Sequence, residues 1–153
     1  MNSKGIFNVP KGIYKKPQIC DEENLLDINK KIQNVEIRCG DYENVYDFID
    51  EDTFVYIDPP YRPLNNTSSF TSYNMQIFDD NEQIRLRDFV NRINNKNAKI
   101  ILSNSNPKNS NISDNFFDNI YKNYNIGRVS AKRCINSNAK NRGKINELII
   151  SNY

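Results

Sequence analysis

Apolar and polar positions along the chain follow two rhythms, and the places where the rhythm changes predict its elements. Leu25, Leu26, Ile28 and Ile32 recur at roughly helical spacing behind Asp21, a residue suited to cap the helix they imply. Val35-Glu36-Ile37-Arg38 alternates and predicts a short strand ending at Gly40. Tyr42 to Ile49 predicts a second helix, and Thr53 to Ile57 a buried strand. A polar stretch runs from Asp58 to about Gln76. Asp79 or Asp80 then caps a helix carrying Ile84, Leu86, Phe89, Val90 and Ile93. Ala98 to Leu102 predicts a strand entering Ser103-Asn104-Ser105-Asn106-Pro107. A helix around Phe116 to Tyr121, a strand near Asn125 to Ser130 and a last strand from Ile145 to Ser151 complete the series. Strands alternating with helices are the grammar of an open α/β sheet, whose ligands lie beyond the carboxyl ends of the strands. Asp41, Asp58 and Ser103-Asn104 each follow a predicted strand end and are expected to converge on one crevice.

Composition narrows the chemistry. The chain has 153 residues, enough to bury a core in one domain, and 26% of them are charged. No apolar run reaches membrane-spanning length and the start lacks a signal-peptide pattern, so a cytoplasmic protein without a membrane partner is expected. Cys20, Cys39 and Cys134 are odd in number and far apart, which indicates neither a disulfide framework nor a zinc site. Histidine is absent. That excludes Ser-His and Cys-His dyads and histidine-ligated metal, leaving carboxylate, amine, phenol and backbone groups.

Charge is unevenly placed. Lys122, Arg128, Lys132, Arg133, Lys140, Arg142 and Lys144 follow one another without an intervening acid, whereas Asp41 to Asp58 is acidic throughout. Such a division suits a protein that grips phosphate with one part and works elsewhere, although a solvated face is the commoner meaning of a basic run.

The densest chemistry is Asp58-Pro59-Pro60-Tyr61, entered from Phe54-Val55-Tyr56-Ile57. A carboxylate, a turn stiffened by two prolines and an aromatic face then stand together at a strand end. Methyl transfer to an exocyclic amine needs that set: acceptors for the amine, a π-face for its ring and a backbone that holds both. A proline turn with a solvated aspartate is the competing reading.

These residues resemble the Dam-type adenine-specific DNA methyltransferases. The likeness runs through Phe7-Asn8-Val9-Pro10, Gly12, Tyr14-Lys15-Lys16-Pro17, Asp58-Pro59-Pro60-Tyr61-Arg62-Pro63-Leu64 and Ser69-Phe70-Thr71-Ser72-Tyr73. It continues through Leu102-Ser103-Asn104-Ser105 and Glu147-Leu148-Ile149-Ile150. The resemblance implies methyl transfer from S-adenosylmethionine to adenine N6 in double-stranded DNA, with GATC a candidate target. It makes Asp58, Pro59, Pro60 and Tyr61 the catalytic set, the Asp58 carboxylate and Pro59 carbonyl accepting from N6 while Tyr61 stacks on the extruded ring. Asp41 and Tyr42, with Asp58, stand where the family contacts the cofactor; a helix cap with an aromatic behind it reads equally well at Asp41. Lys11, Tyr14, Lys15, Lys16, Phe70, Tyr73, Arg133, Lys140 and Arg142 would meet DNA.

The chain departs from the family pattern at its front. Its glycines, Gly5, Gly12, Gly40, Gly127 and Gly143, are isolated, and none forms the glycine-rich cofactor turn. The expected fold is therefore α/β, a partial Rossmann-like methyltransferase sheet (the C-terminal half) with helices on its faces and the N-terminal cofactor-binding part missing. Residues 1–20 would be the end of a DNA-recognition region and 21–153 the C-terminal part of the catalytic domain. A companion N-terminal half, or self-association through an exposed sheet edge, follows as an expectation. The alternatives are a non-catalytic remnant, one part of a split methylase, or methylation of an RNA base or glutamine amide.

Overall fold

The computed structural model describes residues 20–63, 78–132 and 144–153, and these divide after Gly40 into two units. In the first, the Asp21 carboxylate accepts the Asn24 amide at 3.2 Å and starts α1 (Glu22–Ile32). Glu22 and Glu23 in the first turn and Lys30 and Lys31 in the last suit the helix dipole. α1 buries none of its residues, and Leu25, Leu26, Ile28 and Ile32 are exposed. The strand expected at Val35–Arg38 does not form. Alternation is only a propensity: a strand exists through its ladder, and the described sheet holds no strand from this segment.

The second unit begins with a 3₁₀ helix, Tyr42–Phe48, where the pattern predicted an unspecified helix. β1 (Phe54–Ile57) runs parallel to β2 (Lys99–Ser105), the two being connected through α2 (Asp80–Asn94). The short helix α3 (Phe116–Ile120) leads into β3 (Asn125–Lys132) and β4 (Lys144–Ser151). The sheet order is β1-β2-β4-β3, with β4 antiparallel to both neighbours. The architecture is thus mixed α/β with a four-strand mixed sheet. Among the described residues β1 is an edge strand, with Phe54 and Tyr56 exposed.

One helix supplies much of the core. Asp79 caps α2 by accepting the Asn81 and Glu82 amides, and Leu86, Phe89, Val90 and Ile93 are buried along it. They join Ile100 and Leu102 of β2 and Leu148 and Ile150 of β4 in one cluster. The period-two spacing of these strand residues puts each pair on a single sheet face. β2 is buried from Leu102 onward, polar residues included. That burial carries the polar end of β2 under the loop that follows β1.

Candidate active site

Register places the first functional contact. Ile57 pairs with Leu102 in the parallel ladder, so Asp58 comes beside Ser103. The Ser103 hydroxyl donates to Asp58 Oδ1 at 2.9 Å and accepts from the Tyr56 hydroxyl at 3.4 Å. A hydroxyl has one proton to give. Ser103 therefore orients one carboxylate oxygen and has no second hydrogen for the other.

The loop after Asp58 is held from beneath. Pro59 is buried, Asp58 and Pro60 are exposed, and Tyr61 is half-buried. Burial pushes the Tyr61 phenol above its ordinary pKa, with the neighbouring Ser103 opposing and the Asp58 charge reinforcing the shift. Gln83 Nε2 donates to the Pro60 carbonyl at 3.0 Å. The Arg62 amide donates to Asn104 Oδ1 at 3.1 Å, and the Ser105 hydroxyl donates to the Arg62 carbonyl at 2.6 Å. The Arg62 guanidinium grips both oxygens of Asp80, donates to Asp114 at 2.7 Å and lies 4.5 Å from the centroid of the Phe116 ring. Its pKa is raised, first by the hydrogen bond to Asp80.

A cavity of about 340 Å³ opens beside this loop, walled by Tyr42, Val45, Val55, Phe89, Asp58 and Pro59 among others. That volume lies at the small end of ligand pockets, about 300–1,000 Å³. Tyr42 packs edge-on against Phe89, with ring centroids 5.3 Å apart. Its hydroxyl is buried and has no hydrogen-bond partner among the described residues. Burial pushes its pKa up to about 12.

The three predicted positions converge only in part. Asp58, Ser103 and Asn104 come together, but the Asp41 carboxylate accepts the Glu43 amide at 2.9 Å and Arg85 Nη2 at 2.6 Å. Asp41 is not among the cavity walls; its neighbour Tyr42 is. The Arg85 hydrogen bond, first, and the Glu43 amide hold the Asp41 carboxyl below its ordinary pKa. Arg85 also bonds Glu43 and Glu82, and Arg92 bonds Glu43, so arginines of α2 pair with Asp41 and Glu43, the first two acids of the acidic tract. On the basic side, Arg128 donates twice to Asp118, at 2.7 and 2.9 Å. Lys11, Tyr14, Lys15, Lys16, Phe70, Tyr73, Arg133, Lys140 and Arg142 lie outside the described residues.

Gln83, Arg62 and Arg85 were not singled out by the sequence reading. For Gln83 a signal existed: it precedes Leu86, Val90 and Ile93 on the same helical stripe, a polar side chain in line with the core. Arg62 gave none, because its partners lie 18 and 52 positions away; Arg85 gave only its i,i+3 spacing to Glu82, its other partners lying 42 and 44 positions away. No helix among the described residues is long and apolar enough to cross a membrane.

Comparison with known proteins adds ancestry to this geometry. The family model for the D12 class N6 adenine-specific DNA methyltransferases matches residues 1–135. The chain is 48% identical to the Type II methyltransferase M.MjaIII of Methanocaldococcus jannaschii, over all of this chain and 51% of the relative. It is 39% identical to the Type II methyltransferase M1.LlaDCHI of Lactococcus lactis subsp. cremoris, over all of this chain and 52% of that protein. With the DNA adenine methylase of Escherichia coli K12 it shares 31% identity over 97% of this chain and 50% of the relative. It spans about half the length of the relatives it matches.

Proposed function

Because the chain belongs to the D12 class of N6 adenine-specific DNA methyltransferases, we propose that it contributes the amine-holding part of a methyl transfer from S-adenosylmethionine to adenine N6 in duplex DNA. The observation that carries the proposal is Asp58, seated on a cavity with one oxygen held by Ser103 and with the aromatic Tyr61 on the same loop. The amine of adenine is a poor nucleophile because its lone pair is delocalised into the ring. Two acceptors, the Asp58 carboxylate and the Pro59 carbonyl, draw that nitrogen toward a tetrahedral shape. Gln83 supports this division by taking up the Pro60 carbonyl rather than that of Pro59. Extruding the base costs a few kcal/mol, and stacking on Tyr61 returns about 1–3 kcal/mol. Placement does most of the remaining work, since well-oriented reactants recover about 7–11 kcal/mol of barrier.

The cavity fits the base end of an adenosyl cofactor. Its apolar wall, to which the ring of Tyr42 belongs, offers a surface for a planar ring. When bound, S-adenosylmethionine supplies the electrophilic methyl. Asp41 serves by capping the turn that carries Tyr42 and holding Arg85 4.8 Å from the centroid of its ring. The sheet would be the C-terminal half of a Rossmann-like methyltransferase sheet in a cytoplasmic enzyme. Residues 1–20 would close a DNA-recognition region, and 21–153 would form the C-terminal part of the catalytic domain. There Lys11, Tyr14, Lys15, Lys16, Phe70, Tyr73, Arg133, Lys140 and Arg142 would meet DNA. GATC is the proposed target, in a restriction-modification setting like that of the Type II relatives.

The test is methylation of GATC-containing duplexes, read by resistance to an endonuclease that N6-methyladenine blocks and by tritium transfer from labelled cofactor. Modified N6 at GATC supports the proposal; modification elsewhere overturns the target, and none with the full complement of chains present overturns the activity.

A second reading is favoured by surface. Among the described residues β1 has a free edge with Phe54 and Tyr56 exposed, and α1 carries exposed Leu25, Leu26, Ile28 and Ile32. Unpaired edges invite pairing. On this reading the chain acts as one part of a split methylase or as a remnant that binds a companion chain, a second copy or DNA. Light scattering with and without a candidate first-half chain separates these outcomes, and a monomer indifferent to both weakens the reading.

A further inference from the structure

Two carboxamides lie under the loop, both out of solvent: Gln83 is 1% exposed and Asn104 0%. Their hydrogen bonds form one directed chain. The Arg62 amide donates to Asn104 Oδ1 at 3.1 Å, Asn104 Nδ2 donates to Gln83 Oε1 at 3.1 Å, and Gln83 Nε2 donates to the Pro60 carbonyl at 3.0 Å. The Ser105 amide also donates to Asn104 Oδ1, at 2.9 Å. Both ends of the chain are backbone groups whose polarity is fixed: an N–H at Arg62 and a C=O at Pro60. The orientation of each amide between them is therefore forced.

The two backbone ends are the peptide groups on either side of Tyr61. The Pro60 carbonyl belongs to the peptide preceding it and the Arg62 amide to the peptide following it. Pinning both planes fixes the two soft dihedrals of Tyr61, and with them the direction in which its side chain leaves the backbone. We propose that Gln83 and Asn104 are positioning residues that form a clamp aiming the Tyr61 ring. This rests on the reading of Tyr61 as the stacking surface for a planar base. Only a side chain with both a donor and an acceptor serves at either position. A carboxylate at position 83 would turn an acceptor toward the Pro60 carbonyl, and one at position 104 would turn an acceptor toward Gln83. The clamp also joins the two elements it stands on, α2 and β2, to the loop after β1.

The natural absence of tryptophan makes this testable, because Tyr61→Trp gives the chain a single indole at the position in question. Gln83→Glu changes neither shape nor length and removes the N–H donors of the amide. In Tyr61→Trp carrying Gln83→Glu, acrylamide quenching of the indole is expected to rise roughly twofold at about pH 8 and its anisotropy to fall, because the Pro60 carbonyl loses its donor. Near pH 5 the introduced buried carboxyl protonates, donates again and restores both signals. Tyr61→Trp alone should show no such profile, and circular dichroism reports whether each variant is folded. Asn104→Asp, probed the same way, keeps the claim open to test should the first variant unfold. A folded Tyr61→Trp variant carrying Gln83→Met, which lacks the donor at every pH, overturns the clamp if its indole stays as protected as in Tyr61→Trp alone. That result would leave the methyl-transfer proposal standing; failure of methylation with the pH profile intact would do the reverse.

Discussion

Asp41 and Asp58 look alike in sequence, each an aspartate directly preceding an aromatic or proline turn, yet the fold uses them differently. Asp41 is spent: one backbone amide and one arginine occupy its carboxylate. Among the described residues Asp58 receives one side-chain hydrogen bond, from Ser103, and it borders a cavity. A carboxylate already neutralised by a guanidinium has little left to offer a ligand, whereas one oriented through one oxygen keeps an acceptor to spend. The comparison teaches that the local motif does not decide availability. Neighbours brought from far along the chain do.

The comparison breaks most sharply at Asp58. In the reconstituted enzyme, Asp58→Ala should lower methyl transfer by about 10²–10³-fold or more, the scale of losing a preorganised polar group at the reacting centre. DNA affinity should hold in a mobility-shift assay. Retained turnover would end the role given to this carboxylate. At Asp41 the expected loss is of stability instead. Asp41→Ala should cost about 1 kcal/mol by urea titration, as for other helix caps, while Asp41→Asn should cost less because asparagine caps nearly as well. Equal losses from the two would show that the charge facing Arg85 matters more than the cap.

Tyr42→Phe sharpens the contrast from the cavity side. Removing a buried hydroxyl that has no partner among the described residues should leave stability unchanged or raise it by about 1 kcal/mol. Its affinity for an adenosyl ligand should hold in calorimetry, since the ring and not the buried hydroxyl walls the cavity. A destabilised variant would mean that the hydroxyl has a partner in the folded protein.

The smallest effect concerns acid. The folded-state pKa of Asp41 is depressed, so its contribution to stability is present above the unfolded value of about 3.9 and is lost as pH falls through the lower folded value. Asp114 behaves likewise: burial would raise it, but the Arg62 hydrogen bond and the Phe116 amide outweigh that and lower it. Below about pH 4 the native protein should therefore lose stability more steeply than Asp41→Asn or Asp114→Asn, as read by melting temperature. Parallel curves would remove these pairs from the acid response.

Much of the fold was legible because it is local. Apolar spacing at Leu86, Phe89, Val90 and Ile93 marks a helix with one buried face, and Asp79 marks its start. The run Phe54–Ile57 and its Asp-Pro-Pro-Tyr exit are readable for the same reason, since strand propensity and proline stiffness act within a few residues. The segment Val35–Arg38 shows where that reading stops. Its alternation is as regular as that of a strand, yet a ladder needs a neighbour, and no spacing within the segment can announce one. α1 and α2 make the same point, since both are capped amphipathic helices and only α2 has buried residues.

By itself the sequence determined most element types, the caps of α1 and α2, the stiff loop after β1 and membership in a methyltransferase family. Tertiary structure decided which carboxylate is committed and which is open, that arginines of α2 pair with Asp41 and Glu43, and that two amides pin the peptides around Tyr61. The physical reason is range. Backbone preference and periodicity are encoded within a turn or two of chain, whereas hydrogen-bond partners and burial depend on contacts such as Gln83 with Pro60, 23 positions apart, that only a packed sheet and helix bring together.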